Sequence, residues 1–416
     1  MSTDIQRTIE AVWRIESTKV TAAISRLVRD VGLAEELAQD AFVAALEQWP
    51  KTGIPDRPAA WLMRTARNKA VDRIRRNVTY ESKQAVLARD AELGAIDDPD
   101  WDAALDDPVG DDILRLMFIA CHPALSMEAR VALTLRLLGG LTTAEIARAF
   151  LSSESTIAQR IVRAKRTLSR QEVRFETPPP DELAERLSSV LEVIYLIFNE
   201  GYAATSGDSW LRAELCLEAL RLGRILAGIV PGESEAHGLL ALMELQASRF
   251  RTRVDAAGNP VRLPHQDRRR WDRLHIKRGI AALDRARALA SQPGFYLLQA
   301  EIAACHARAR TFEETDWRQI VRLYDQLALR FPSPVVDLNR AVAVGMADGP
   351  EAGLELVEAL ATEPLLSDSH LLAAVRGDLL ERAGRLDEAR AEFARAAQLT
   401  QNEAERQLLT ARAESL

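Results

Sequence analysis

Ser155, Thr156, Gln159, Arg160, Arg163 and Arg166 all stand off an apolar stripe formed by Ile157, Ile161, Ala164 and Leu168. The four apolar residues recur at 4-3-4 spacing, which is one face of an α-helix. Carboxamide and guanidinium groups on the opposite face suit base edges: Gln159 matches adenine and Arg160 guanine by bidentate bonds, and the later cations suit phosphate. Just upstream, Thr142-Thr143-Ala144-Glu145 has the spacing of a capping box. Ile146, Ala147 and Phe150 can pack inward, residues 151–153 break the chain, and Ser152 or Ser153 can cap the next helix. Helix, polar break and basic helix together predict a helix-turn-helix that reads duplex DNA.

A second cationic stretch, "PAAWLMRTARNKAVDRIRR", lies at Pro58–Arg76. Pro58 suits a first helical turn. Trp61, Leu62, Ala66, Ala70 and Ile74 can face a core, while Arg64, Arg67, Asn68, Lys69, Arg73, Arg75 and Arg76 supply polar and cationic groups against one acid, Asp72. The preceding "PKTGIPDRP" reads as a loop. A loop that accepts an unstacked base beside cations for the backbone suits single-stranded DNA. The plainer readings are a solvated basic helix, with Trp61 in the core. Upstream, "VTAAISRLVRDVGLAEELAQDAFVAALEQW" reads as helices with a break at Gly32.

These stretches must be positioned by a chain of 416 residues, rich in the strong helix formers Ala, Leu, Arg and Glu and with only 5% aromatics, which predicts an all-α fold. Net charge is −7 but unevenly spread. Residues 1–76 carry 13 Lys/Arg against 10 Asp/Glu, 77–112 carry 2 against 11, 113–175 carry 10 against 4, and 176–416 carry 29 against 36. Two basic modules therefore flank an acidic linker, 77–112, and an acidic helical region, 176–416, follows. Basic modules are the electrostatic footprint of phosphate binding. The linker reads as extended, or as an acidic strand that mimics nucleic acid in a partner's channel.

Cys121, Cys216 and Cys305 form no CxxC pair, which suits a reducing cytoplasm. The N-terminal residues lack a secretory signal pattern, and no apolar run is long enough to span a membrane. Catalytic groupings are sparse: Cys121-His122 has no orienting acid and reads as a buried thiol, and His265 with His275 is a poor metal pair. We therefore expect no enzyme, no cofactor and no metal.

From Asp181 the chain reads as successive helices, 181–198, 210–229, 233–249, 267–289, 295–308, 317–330, 334–346 and 350–362. In "HLLAAVRGDLLERAGRLDEARAEFARAAQL", Gly377, Leu380, Ala389, Phe393 and Ala396 fit the tetratricopeptide template. "YLIFNEGYAATSGDSW" places Asn199, Glu200, Tyr202, Ser206 and Asp208 in a glycine-containing loop, either a capped turn or a polar regulatory anchor. Arg268–Arg278 is a basic island that reads as a surface helix.

The order of these motifs resembles a bacterial sigma factor of the extracytoplasmic-function group, over about residues 15–172, and the long tail resembles that of a subgroup with tetratricopeptide-like extensions. "LAEELAQDAFVAALEQW" resembles the region 2 helix that grips RNA polymerase, which implies polymerase contact by Glu36, Gln39, Asp40 and Phe42. "PAAWLMRTARNKAVDRIRR" resembles the part that reads the −10 element, and "LTTAEIARAFLSSESTIAQRIVRAKRTL" resembles region 4, which reads the −35 element. Ala158 stands where the family usually places a cation. The resemblance implies core RNA polymerase and promoter DNA as partners. From the fused acidic mass we expect a regulatory tail that packs against one or both DNA-reading modules. A different reading is a helix-turn-helix regulator with a tetratricopeptide-like sensor, binding duplex DNA without polymerase.

Overall fold

In α1 (Ser2–Val28) and α2 (Val31–Thr52), apolar side chains at helical spacing gather into one core. The computed structural model describes residues 2–78 and 108–416 apart from positions 151, 172, 209, 257, 365 and 368. The turn between α1 and α2 falls at Arg29 and Asp30 rather than at Gly32. Arg29 takes a left-handed conformation (φ 54°), and the Asp30 carboxylate accepts from Leu33 N–H at 2.7 Å, so Gly32 is already helical. α2 also runs through Pro50 to Thr52, where a loop was expected. Trp49, 1% exposed, holds its last turn in the core, and Gly53 (φ 85°) ends the helix by donating to the Trp49 carbonyl at 3.0 Å. α3 (Pro58–Val78) lays Leu62, Ala66 and Ala70 on the same core.

The predicted acidic linker lies mostly in 79–107, outside the described residues. Its last five residues, 108–112, are instead helical, the start of α4 (Pro108–Ala120). Asp112 is drawn into this helix by Arg115, at 2.8 Å. Three helices complete the second module: α5 (Met127–Leu137), α6 (Thr143–Ala149) and α7 (Glu154–Arg170). The chain divides into two compact units, Met1–Ile194 and Tyr195–Leu416. The first unit includes the start of α8 (Pro180–Tyr202). There Ser189 Oγ donates to the Cys121 carbonyl at 2.8 Å, and Arg186 to the Phe118 carbonyl at 3.2 Å.

The second unit is a run of helices in which sequence neighbours pack: α9 (Ala213–Ile229), α10 (Ser234–Ala247), α11 (Phe250–Arg253), α12 (Arg273–Leu289), α13 (Phe295–Arg308), α14 (Trp317–Arg330), α15 (Pro334–Ala347), α16 (Pro350–Ala359), α17 (His370–Arg382), α18 (Leu386–Leu399) and α19 (Glu403–Ser415). Gly377, Leu380, Ala389, Phe393 and Ala396 are all buried where α17 meets α18. The sheet content of the described residues is one parallel pair, β1 (Ser206–Gly207) with β2 (Gln401–Asn402). Asn402 Nδ2 reinforces it by donating to the Ala204 carbonyl at 3.0 Å, so the start of the tail is tied to its last helix.

Asn199, Glu200 and Tyr202 are not in a loop. They form the last turn of α8, and only Ser206 and Asp208 of that group lie beyond it. Gly201 explains the misreading, because it serves close packing rather than a turn. A Cβ there would lie 2.8 Å from the Cys216 backbone nitrogen and 2.9 Å from the Arg212 carbonyl oxygen. Gly201→Ala should therefore destabilise the second unit by about 1–3 kcal/mol, read as a lower midpoint in urea unfolding.

Candidate nucleic-acid interface

α7 begins at an N-cap, Ser153, whose hydroxyl accepts from Thr156 N–H at 3.1 Å. α6 begins at the Thr142–Glu145 capping box, with both reciprocal bonds formed. Ile157, Ile161, Ala164 and Leu168 are buried and fix the rotation of α7. That rotation leaves Ser155, Thr156, Gln159, Arg163 and Arg166 exposed, with Arg160 half-buried; Ala158 is exposed as well. Thr156, Gln159, Arg160 and Arg163 line one wall of a cleft, and Ser126 and Glu128 at the start of α5 line another. Among the described residues Arg163 and Arg166 make no ion pair, so their charge is presented to solvent.

α3 presents cations in two places. Arg64, Asn68 and Arg75 are exposed opposite buried Leu62, Ala66 and Ala70, while Arg73 and Arg76 are exposed at the end of the helix, past the last buried residue of that stripe. Arg67 and Lys69 are half-buried, and Lys69 lies 3.7 Å from Asp40 of α2. Trp61 is half-buried, packed on the core and edge-on to Trp49 at 5.3 Å between ring centroids. Of the four polymerase candidates, Glu36 and Asp40 are exposed, Phe42 stacks on Trp13 at 4.8 Å, and Gln39 donates to Glu35 at 2.5 Å.

Glu35 was not singled out from the sequence. It is 6% exposed and joins the two modules. Its carboxylate accepts from Arg136 Nε of α5 at 2.6 Å and pairs with Lys165 of α7. Nearby, Thr18 Oγ1 donates to the Leu138 carbonyl at 2.8 Å, and Arg26 lies 3.3 Å from Asp112. A sequence signal did exist. Val31, Glu35, Ala38 and Phe42 share one helical stripe, so a carboxylate sits among apolar positions.

Comparison with known families supports the modular reading. A model of sigma-70 region 2 matches residues 14–79, one of sigma-70 region 4 matches 115–168, and a family of unknown function, DUF6596, matches 186–287. The chain is 32% identical over 156 residues to the ECF RNA polymerase sigma factor SigK of Mycobacterium ulcerans, covering 36% of this chain and 78% of that one; SigK of Mycobacterium tuberculosis matches equally. The chain belongs to the extracytoplasmic-function group of sigma-70 factors. An uncharacterized protein of Rhizobium meliloti is 46% identical over 386 residues, 92% of this chain and 90% of its own length, so the similarity extends through the tail.

In this sigma factor the groups that first suggested catalysis have structural surroundings. Cys121 is buried, its sulfur 3.5 Å from Thr134 Oγ1, and burial pushes its thiol up to about 12. Burial, then the charges of Arg186 and Arg130, lower His122 to about 4, and its Nδ1 accepts from Ala124 N–H. His275 Nδ1 meets Glu244 at 2.6 Å and His265 meets Arg262 at 3.0 Å, so the two histidines have separate partners. The basic island is a surface helix only in its second half, where Arg273, Lys277 and Arg278 are exposed on α12; it starts in a short 3₁₀ turn, and there Arg268 is 5% exposed. Among the described residues, no helix is long and apolar enough to cross a membrane.

Burial pushes the Cys216 thiol up to about 12 as well. A thiol that ionises near 12 is only about 10⁻⁴ thiolate at pH 8, and thiolate is the reactive form. Thiol titration of the native chain at pH 8 should thus leave Cys121 and Cys216 unreacted, while urea exposes all three cysteines.

Proposed function

We propose that this sigma factor directs promoter-specific initiation by core RNA polymerase, with α3 reading the −10 element and α7 the −35 element. The observation that carries this is the pair of helices with exposed cations, α7 with them opposite its buried stripe and α3 with them opposite its stripe and at its end, on modules matched in order by regions 2 and 4. Ser155, Thr156, Gln159 and Arg160 stand nearest the start of α7, the end of a recognition helix that reaches base edges. Arg163 and Arg166 supply phosphate contacts further along. On α3, Arg64, Asn68, Arg73 and Arg76 hold the separated strand, with Arg67, Lys69 and Trp61 beside them. The tail sets how strongly the modules act.

Two promoter elements read at once must be met by modules that stand apart. In the free chain Glu35 holds them together instead. Gln39, one of the residues assigned to polymerase contact, donates to the same carboxylate. A polymerase surface that takes Gln39 and Glu36 competes directly with this latch. Binding to polymerase and separation of the modules are therefore one event.

Adding the chain to purified core polymerase should restore initiation at its own promoter, and a chain ending at Ile194 should initiate at a different level. A conventional regulator would bind its duplex site alone and leave core enzyme inactive. Arg160→Ala should lower occupancy of the −35 element roughly 5- to 150-fold, the worth of one base-reading contact.

Glu35→Gln removes the charge that Arg136 and Lys165 meet. Hydrogen bonds to charged groups contribute about 1.5–3 kcal/mol each. The variant should bind promoter DNA without polymerase better than the parent, and small-angle scattering should show a more extended first unit. Unchanged dimensions would discard the latch.

A further inference from the structure

Three guanidinium groups of the second unit gather with no ion pair to any of them among the described residues, although the exposed carboxylates of Glu313 and Glu314 act on Arg268 from further away. Arg249 follows α10, Arg253 ends α11, and Arg268 sits in the 3₁₀ turn 268–270. A small hairpin, bridged from Val254 to Pro260 and turned at Gly258 (φ 88°), brings the third to the other two. Arg253 is 7% exposed and Arg268 5%; Arg249 is half-buried.

Among the described residues, every hydrogen-bond and ring partner of these groups is uncharged. Arg249 donates to Gln266 Oε1 and Gln246 Oε1, both at 3.2 Å. Arg253 donates to the Tyr202 carbonyl at 2.7 Å and lies 3.6 Å over the Tyr202 ring. Arg268 donates to the His306 and Ala309 carbonyls and to Thr315 Oγ1. Arg249 and Arg268 both contact the Trp271 ring, at 5.4 and 5.1 Å from its centroid. No carboxylate pairs with any of the three among the described residues, although acids outnumber bases in 176–416. Arg253 Nε, Arg268 Nε and Trp271 Nε1 are buried with no acceptor among the described residues.

Buried charge without an opposite charge is costly, and a buried donor without an acceptor costs about 1–3 kcal/mol. Cation–π contact offsets part of this for each arginine. It supplies no acceptor for Arg253 Nε, Arg268 Nε or Trp271 Nε1. Burial lowers the pKa of Arg249 and Arg268; the charges of Arg253 and Arg268 add to it at Arg249, while Glu313 and Glu314 oppose it at Arg268. Burial also lowers His306 to about 3, with the charges of Arg249 and Arg268 contributing. His306 is therefore neutral and adds no fourth cation.

We propose that Arg249, Arg253 and Trp271 form a binding site for the phosphoryl group of a small molecule, with Arg268 as the buried cation behind it. A phosphoryl group brings up to two negative charges and three acceptor oxygens, which matches forked guanidinium donors better than a singly charged carboxylate. Arg249 is the least buried of the three arginines. The site lies in the segment matched by the family of unknown function, and it does not depend on how the first unit reads a promoter.

The test is thermal unfolding of the full chain titrated with inorganic phosphate, against sodium acetate and sodium chloride at matched ionic strength. Saturable stabilisation by phosphate alone is expected, about 2–4 °C once phosphate is several-fold above its dissociation constant. Equal shifts in all three salts, or none in phosphate, overturn the proposal. Arg249→Met keeps an unbranched chain over Trp271 without the charge. It should melt no lower than the parent in chloride and gain nothing from phosphate; a lower melting point with the phosphate shift intact makes Arg249 a structural prop and overturns its assignment. If that variant does not fold, Arg249→Lys keeps the charge and gives up the fork, and a full phosphate shift in it overturns the assignment equally.

Discussion

The Glu35 carboxylate is buried and charged, and the first unit is organised around how that charge is met. Taking a carboxylate from water costs several kcal/mol unless cations and donors replace the lost hydration. Here Gln39, Arg136 and Lys165 replace it, from α2, α5 and α7. Arg136 also donates to the Leu141 carbonyl at 3.1 Å, so the same guanidinium fixes the approach to α6. One carboxylate thereby sets the position of the helix-turn-helix against the helix before it. The Glu35 contacts are polar and their cations partly exposed, 20% for Arg136 and 24% for Lys165, so water can replace them when the modules part, while α1 and α4 pack beside them. An apolar seam of the same extent would leave sticky surface on both modules.

The second unit is held by other means. Small residues allow close approach, as at Gly201 against Cys216 and Gly377 against the Phe393 ring. The β1–β2 pair then ties its beginning to its end. Its handling of buried charge differs between neighbouring places. Glu244, 1% exposed, is raised by burial, but hydrogen bonds from His275 and Arg224 outweigh that and hold it below the usual carboxylate range. Five residues on, Arg249 opens a cluster that receives no such partner. The chain neutralises a buried charge at one position and leaves three open close by in sequence, so the lack of a counter-ion is local and not a property of the unit.

Helices with a strict stripe were legible because their partners are local. The 4-3-4 spacing in α7 and the Thr142–Glu145 box depend on residues within a few positions, and both lie where spacing placed them. Proline and glycine misled where tertiary contacts outweigh their local preference. Pro50 stays helical because Trp49 is anchored, and Gly201 marks a close helix approach rather than a turn. Arg268 was read as surface from its charged neighbours, yet its partners, His306 and Thr315, are 38 and 47 residues away. The Glu35 contacts span 101 and 130 residues. No local pattern encodes which distant cation meets a carboxylate, although a lone acid in an apolar stripe announces that one must.

Which arginines lack an acid carries functional meaning in both units. In the second unit Arg287, Arg340, Arg376, Arg385 and Arg412 each meet a carboxylate at or near the surface. Such pairs add little stability, but they cancel the field that a lone cation would present. On the first unit Arg64, Arg73, Arg163 and Arg166 form no such pair among the described residues, and all four are exposed on two helices. Exposed and uncancelled, they attract an extended polyanion, whose counter-ions are released when phosphates replace them. The Arg249 cluster is uncancelled too, but enclosed by rings and carbonyls where a duplex cannot enter. Uncancelled charge in so confined a place selects a small anion. The same electrostatic condition therefore points to two different ligands, and burial is what separates them.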